Sequence, residues 1–125
     1  LHQTICGTTL YMSPEQFVYD GETRRVTYDQ SGDLYAIFRI LWMLTFGAEY
    51  ITAQNRVEYR EKMSDIYIKK INPADDPRVK TALEEKKIDP NFVDFIRKIG
   101  NPDPKERSNL NTLLQHNFLK KDKVD

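Results

Sequence analysis

Residues 33–47, Asp-Leu-Tyr-Ala-Ile-Phe-Arg-Ile-Leu-Trp-Met-Leu-Thr-Phe-Gly, are the stretch around which the chain must build its core. Of the thirteen residues 34–46, eleven are apolar and only Arg39 and Thr45 interrupt them, so no solvent-facing stripe is left. That pattern predicts a helix buried on every side. Thirteen residues with an arginine among them fall well short of the ~20 that span a bilayer. Residues 28–32 are polar and turn-prone, Asp33 suits a helix N-terminus and Gly47 can end the helix.

The remaining pattern is helical too. Residues 1–20 read as an irregular loop that closes into a short helical turn with Pro14 at its first position. Residues 19–32 carry Asp20-Gly21 and Ser31-Gly32 and read as a surface loop. Between 54 and 70, Val57, Met63, Ile66 and Tyr67, with Ile71 just beyond, predict an amphipathic surface helix stopped by Asn72-Pro73. Residues 77–87 form a short helix with Val79, Ala82 and Leu83 on one side and Lys86 and Lys87 in its last turn. A mostly buried helix starts at Pro90, carries Phe92, Val93, Phe95, Ile96 and Ile99, and ends at Gly100. A last helix from about Ser108 presents Leu110, Leu113 and Leu114, with Phe118 beyond, before a charged tail. No strand or repeat signal is present, so the expected class is all-α with one irregular loop at the start.

Charge narrows the partners. Lys plus Arg and Asp plus Glu both number 19, so the chain has no global field to draw nucleic acid or an anionic membrane, and a protein partner is favoured. A single cysteine forms no internal disulfide and no signal-peptide pattern opens the chain, which points to a reducing, cytoplasmic setting. A 125-residue chain opening at Leu1 is expected to be a piece of a longer protein. His2 and His116 lack a second ligand at metal spacing, so no metal site is expected. Cys6 has no cationic cluster around it in sequence and reads as packing.

Three motifs in order resemble the second half of the large lobe of a eukaryotic protein kinase. Cys6-Gly7-Thr8-Thr9-Leu10-Tyr11-Met12-Ser13-Pro14-Glu15 resembles the end of the activation segment, with Ser13-Pro14-Glu15 in place of its closing Ala-Pro-Glu. Asp33-Leu34-Tyr35 resembles the start of the central helix. Asp103-Pro104-Lys105-Glu106-Arg107, followed by Leu113-Leu114-Gln115-His116-Asn117-Phe118-Leu119, resembles the closing Asp-Pro-x-x-Arg motif and the final helix. Thr8 after Gly7 is similar to the serine/threonine type. The run 10–16 with Asp33-Leu34-Tyr35 is most similar to the kinases of the translation initiation factor 2 α subunit, and Ser64-Asp65-Ile66 loosely resembles a step near their docking helix. Departures are Phe38 where a small residue is usual, Ala36 where a serine is usual, and a longer loop over 16–32.

The resemblance implies that residues 1–125 are a C-terminal-lobe fragment of a kinase domain, part of the helical large lobe of the protein kinase-like fold. The full-length protein would transfer the ATP γ-phosphoryl group, with Mg2+, to a protein hydroxyl. The Gly-rich loop, phosphate-pairing lysine, His-Arg-Asp loop and Asp-Phe-Gly site would lie upstream, so no catalytic residue is expected in this chain, and upstream kinase residues are its natural partners. By the same resemblance Glu15 and Arg107 form an ion pair, Asp33 holds the catalytic loop or only caps its helix, and Thr8 positions substrate or only bonds its own loop. Thr4, Thr8 and Thr9 are candidate phosphorylation sites. A pseudokinase-like scaffold that docks a partner on the 54–70 helix is the alternative.

Overall fold

A computed structural model of the chain describes residues 12–17 and 30–120, with Gln30 and Lys120 described by backbone alone. Among these residues there is no strand. A 3-10 turn (Pro14–Phe17) precedes helices α1 (Gln30–Phe46) and α2 (Arg56–Lys69), and a second 3-10 turn (Pro73–Asp75) leads into α3 (Pro77–Glu84), α4 (Pro90–Ile99), α5 (Leu110–Leu114) and α6 (Asn117–Lys120). The class is all-α, as in the helical lobe of the protein kinase fold. Among the described residues no helix is long and apolar enough to cross a membrane.

Helix α1 departs from its reading in two ways. It begins at Gln30, so 30–32 are its first turn and not a loop. Ser31 is held there from outside the helix, since its Oγ donates to the Pro104 carbonyl at 3.1 Å and its carbonyl and hydroxyl both accept from Arg107. Nor is α1 buried on every side. Leu34, Tyr35, Phe38 and Trp42 are buried, while Ile37, Ile40, Met43 and Leu44 are exposed, Leu44 by 76%. Positions 37, 40 and 44 share one helix face. The interrupting Arg39 is fully buried instead, which its hydrogen bonds make tolerable.

An aromatic group forms the centre of the core. Phe38 meets Tyr35, Trp42 and Tyr50 edge-on at centroid distances of 5.1, 6.0 and 5.1 Å. Such pairs add to the gain from area burial. Phe38 fits because α4 ends at Gly100: a Cβ there would lie 3.1 Å from Phe38 Cδ1 and 2.6 Å from Pro73 Cγ.

The other helices are set by their caps. Asn55, Asp76, Asp89 and Asn109 each accept a hydrogen bond from a first-turn amide of α2, α3, α4 and α5 respectively. In α2 the core side chains are Tyr59, Met63 and Ile66. Val57, expected to help form the apolar face, is 63% exposed, because it sits two residues out of phase with Tyr59; Ile71 is exposed as well. Helix α3 ends at Glu84, and Lys86 lies beyond it at φ 61°, outside the last turn where it was expected. The expected terminal helix is broken at Gln115 and His116 into α5 and α6, and leaves Leu110 and Leu114 exposed. His116 closes the break: its Nδ1 accepts from the Phe118 amide at 2.9 Å, so Nε2 carries the proton and donates to Asp94 at 2.7 Å. Lys98 Nζ donates to the same carboxylate oxygen at 2.6 Å.

Candidate functional site

The site is built on the turn Pro14–Phe17. Pro14 supplies a fixed φ at the first position, and the Gln16 side chain reaches back to accept from the Ser13 amide at 2.9 Å, one arm of a capping box. The Ser13 hydroxyl donates to Glu15 Oε2 at 2.6 Å, which aims the carboxylate. The amino end of this turn is therefore held before any distant residue arrives.

Arg107 comes from a turn that is equally constrained. Asn101 Oδ1 accepts from the Asp103 amide and Asp103 Oδ1 from the Lys105 amide, each at 2.9 Å, so consecutive side-chain turns hold residues 101–106. Arg107 Nε donates to the Asn101 carbonyl at 2.7 Å. Its other two nitrogens then face Glu15: Nη2 to Oε1 at 2.7 Å and Nη1 to Oε2 at 3.1 Å. The two residues, 92 apart in sequence, thus form a fork-to-fork pair in which the arginine side chain is 0% exposed and the glutamate 20%. The guanidinium also lies 5.1 Å from the Tyr35 ring.

Nη1 additionally donates to the Ser31 carbonyl and hydroxyl at 3.1 and 3.0 Å, which joins the first turn of α1 to the pair. The sequence reading placed Ser31 only in a surface-loop dipeptide with Gly32 and not in the site, because no local pattern marks its partner. Asp33 is exposed, one turn into α1, and its carboxylate makes no hydrogen bond or ion pair among the described residues. The carboxyl end of the turn rests on α2: Ser64 Oγ donates to the Phe17 carbonyl at 3.2 Å and the Phe17 ring meets Tyr59 edge-on at 5.7 Å. Ser64 is therefore occupied inside the fold. Thr4, Thr8, Thr9, Cys6 and His2 lie outside the described residues.

Among the described residues no three carboxylate, imidazole or thiol groups converge to hold a metal ion. What the arrangement does is mechanical. It fixes one short turn from three directions.

An arginine after an Asp-Pro turn, gripping a glutamate that follows a proline on an all-helical scaffold, is the arrangement expected of the large lobe of a protein kinase. Residues 2–119 match the family described as protein kinase domain, and the chain belongs to that family. Among curated proteins it is similar to the serine/threonine-protein kinase ATG1 of Gibberella zeae, 29% identical over 119 residues that make up 95% of this chain and 11% of that protein. It is also similar to an Aurora kinase of Candida albicans, 30% identical over 120 residues, 96% of this chain and 19% of that protein. The chain thus spans between about a tenth and a fifth of the length of these relatives. No solved structure matches.

Proposed function

We propose that this chain is the C-terminal-lobe part of a serine/threonine protein kinase domain, and that it supplies the platform on which a protein substrate is held while ATP and Mg2+ are bound by residues outside it. The observation that carries the reading is the buried, bidentate Glu15–Arg107 pair, because it fixes the turn into which the candidate substrate loop, with Thr8, leads. In phosphoryl transfer most of the catalysis is positioning and charge stabilisation, so a rigid support for the substrate is a functional part even without a reacting group. Thr4, Thr8 and Thr9 are then candidate phosphorylation sites, where the added charge would pair with an arginine elsewhere in the kinase. The exposed face of Ile37, Ile40 and Leu44 supports the same reading, as a surface that further kinase residues cover. A cytoplasmic setting and membership among the initiation factor 2 α kinases are finer readings that rest on the single cysteine and on residues 10–16 and 33–35; the relatives named above carry other titles.

The test is phosphoryl transfer by the full-length protein that contains this chain. With ATP·Mg and a degenerate serine/threonine peptide library, phosphopeptide formation is expected, and it falls sharply in Glu15→Ala. The isolated 125 residues should show no ATP binding by calorimetry. Full-length protein that binds a partner through residues 54–70 yet transfers no phosphate would establish the scaffold reading instead.

A further inference from the structure

The Glu15–Arg107 pair holds one side of the Pro14–Phe17 turn, and a second, independent chain of contacts holds the other. It starts at Arg39, a fully buried arginine in the middle of α1. Nη1 donates to the Tyr59 hydroxyl at 2.9 Å and lies 3.9 Å from Met63 Sδ, both on α2. Nη2 is 3.5 Å from Glu49 Oε1, and Nε has no partner.

A buried guanidinium with one distant carboxylate and an unsatisfied nitrogen is a costly way to fill space, and an apolar side chain of similar volume would do that more cheaply. What only the arginine provides is a donor aimed at Tyr59. The Tyr59 ring, fixed at its hydroxyl end, meets Phe17 edge-on at 5.7 Å, and Ser64 further along the same helix binds the Phe17 carbonyl. Phe17 is the last residue of the turn that carries Glu15.

We propose that Arg39 is a positioning residue: through the Tyr59 hydroxyl it sets the seat of Phe17, and so holds the far end of the turn whose near end Arg107 holds. The contact chain stands on its own, whereas its meaning for substrate rests on reading that turn as part of the substrate platform.

The test uses Tyr59→Phe, which keeps the ring against Phe17 and removes the hydroxyl that accepts from Arg39. Site-resolved amide exchange by nuclear magnetic resonance compares the Gln16 amide, bonded to the Ser13 carbonyl at 3.0 Å, with the Gly100 amide, bonded to the Ile96 carbonyl at 2.8 Å. The variant is expected to speed exchange at Gln16 by about tenfold and at Gly100 by less than about twofold, as loss of one bond to a charged donor implies. Arg39→Lys, which keeps one donor toward Tyr59, should fall between wild type and Arg39→Met. Unchanged exchange at Gln16, or equal acceleration at Gln16 and Gly100, overturns the proposal, and Tyr59→Phe decides it even where Arg39→Met fails to fold. In the full-length kinase, Tyr59→Phe is expected to raise KM for a peptide substrate and leave KM for ATP unchanged. Faster exchange at Gln16 with an unaltered peptide KM would uphold the contact chain and refute the platform reading.

Discussion

Replacing Arg107 by alanine is the most informative perturbation of this lobe. The change deletes five hydrogen bonds at once: one to the Asn101 carbonyl, two to Glu15 and two to Ser31. Three segments lose their common anchor, and only the Ser31 hydroxyl bond to the Pro104 carbonyl still joins two of them. Breaking a buried pair by removing one partner costs roughly 3–5 kcal/mol, because the other charge is left without compensation. Glu15 keeps the Ser13 hydroxyl and is 20% exposed, so some water reaches it and the lower end, ~3 kcal/mol, is expected. Arg107→Lys keeps the charge but has no fork to span both carboxylate oxygens and the Ser31 carbonyl, and should recover less than about half of that loss. Lys105 is exposed, and Lys105→Ala should lie within about 0.5 kcal/mol of wild type. The assay is urea unfolding followed by far-ultraviolet circular dichroism. If the alanine variant is already unfolded in buffer, a titration in trimethylamine N-oxide, which strengthens burial, recovers the difference. Equal unfolding midpoints for Arg107→Ala and Lys105→Ala would refute the reasoning, since they would mean that the buried fork contributes no more than a surface cation.

Gly100→Ala should cost about 1–3 kcal/mol, because the new Cβ would meet Pro73 Cγ at 2.6 Å and the Ile96 carbonyl oxygen, which is backbone and has little freedom to yield, at 2.9 Å; the urea midpoint measures it. Lys70 holds a left-handed φ of 57° after α2, so Lys70→Gly should stabilise by about 0.5–1 kcal/mol, and a lower thermal midpoint would refute the assigned cap. Burial raises the Asp76 pKa, but hydrogen bonds from the Arg78 side chain and amide outweigh this and leave it below its ordinary value, while Lys98 and then His116 lower that of Asp94. Both groups therefore contribute stability above the unfolded carboxylate pKa of ~3.9 and lose it as pH falls through their lower folded values, so the thermal midpoint should be level from neutrality to about pH 5 and drop below about pH 4. Asp76→Asn, which keeps a capping side chain, should shrink that drop. The face of Ile37, Ile40 and Leu44 predicts that the isolated chain binds a hydrophobic dye and melts over a broad range; a sharp transition without dye binding would contradict it.

What was legible in the sequence was what neighbouring residues decide among themselves. Pro90 and Gly100 bound α4 because a fixed φ and an absent side chain act on the spot, and Asp89 caps that helix three residues from its partner amide. The Pro14 turn was readable for the same reason, being closed by a side chain three residues away, whereas the Asp103–Arg107 stretch was found through its resemblance to a kinase motif. The break between α5 and α6 was missed because it depends on Asp94, which lies 22 residues from His116. The start of α1 was missed because its first turn is stabilised by Arg107 and Pro104, more than 70 residues downstream. Periodicity misplaced Val57 because the phase of α2 is set by which side meets Phe17, information carried by a turn some 40 residues away.

Arg39 and Phe38 show why an apolar run is an incomplete guide to what a helix buries. Counting hydrophobic residues made Arg39 a mere interruption and Leu44 part of the core, whereas Arg39 is fully buried and Leu44 is 76% exposed. On a helix, burial follows the angular position of a residue, and a polar side chain on the buried face is retained when a partner meets it. Tyr59 meets Arg39 20 residues along the chain, and Tyr50 lies 6.0 Å from its guanidinium. Phe38, one position earlier, enlarges the same face, and the space it needs is released by Gly100 at the end of α4. The buried Arg39 and Phe38, the latter a departure from the kinase pattern, are therefore matched by specific partners, Tyr59 on α2 and Gly100 at the end of α4. An adaptation of this kind should behave as a unit: exchanging Phe38 for glycine alone would open a cavity beside Gly100, at a cost of about 3–5 kcal/mol, whereas Gly100→Ala would not fill it while Pro73 Cγ stands 2.6 Å from the added carbon. Rescue of Phe38→Gly by Gly100→Ala would show that the fit lies between those two residues alone and that Pro73 takes no part in it.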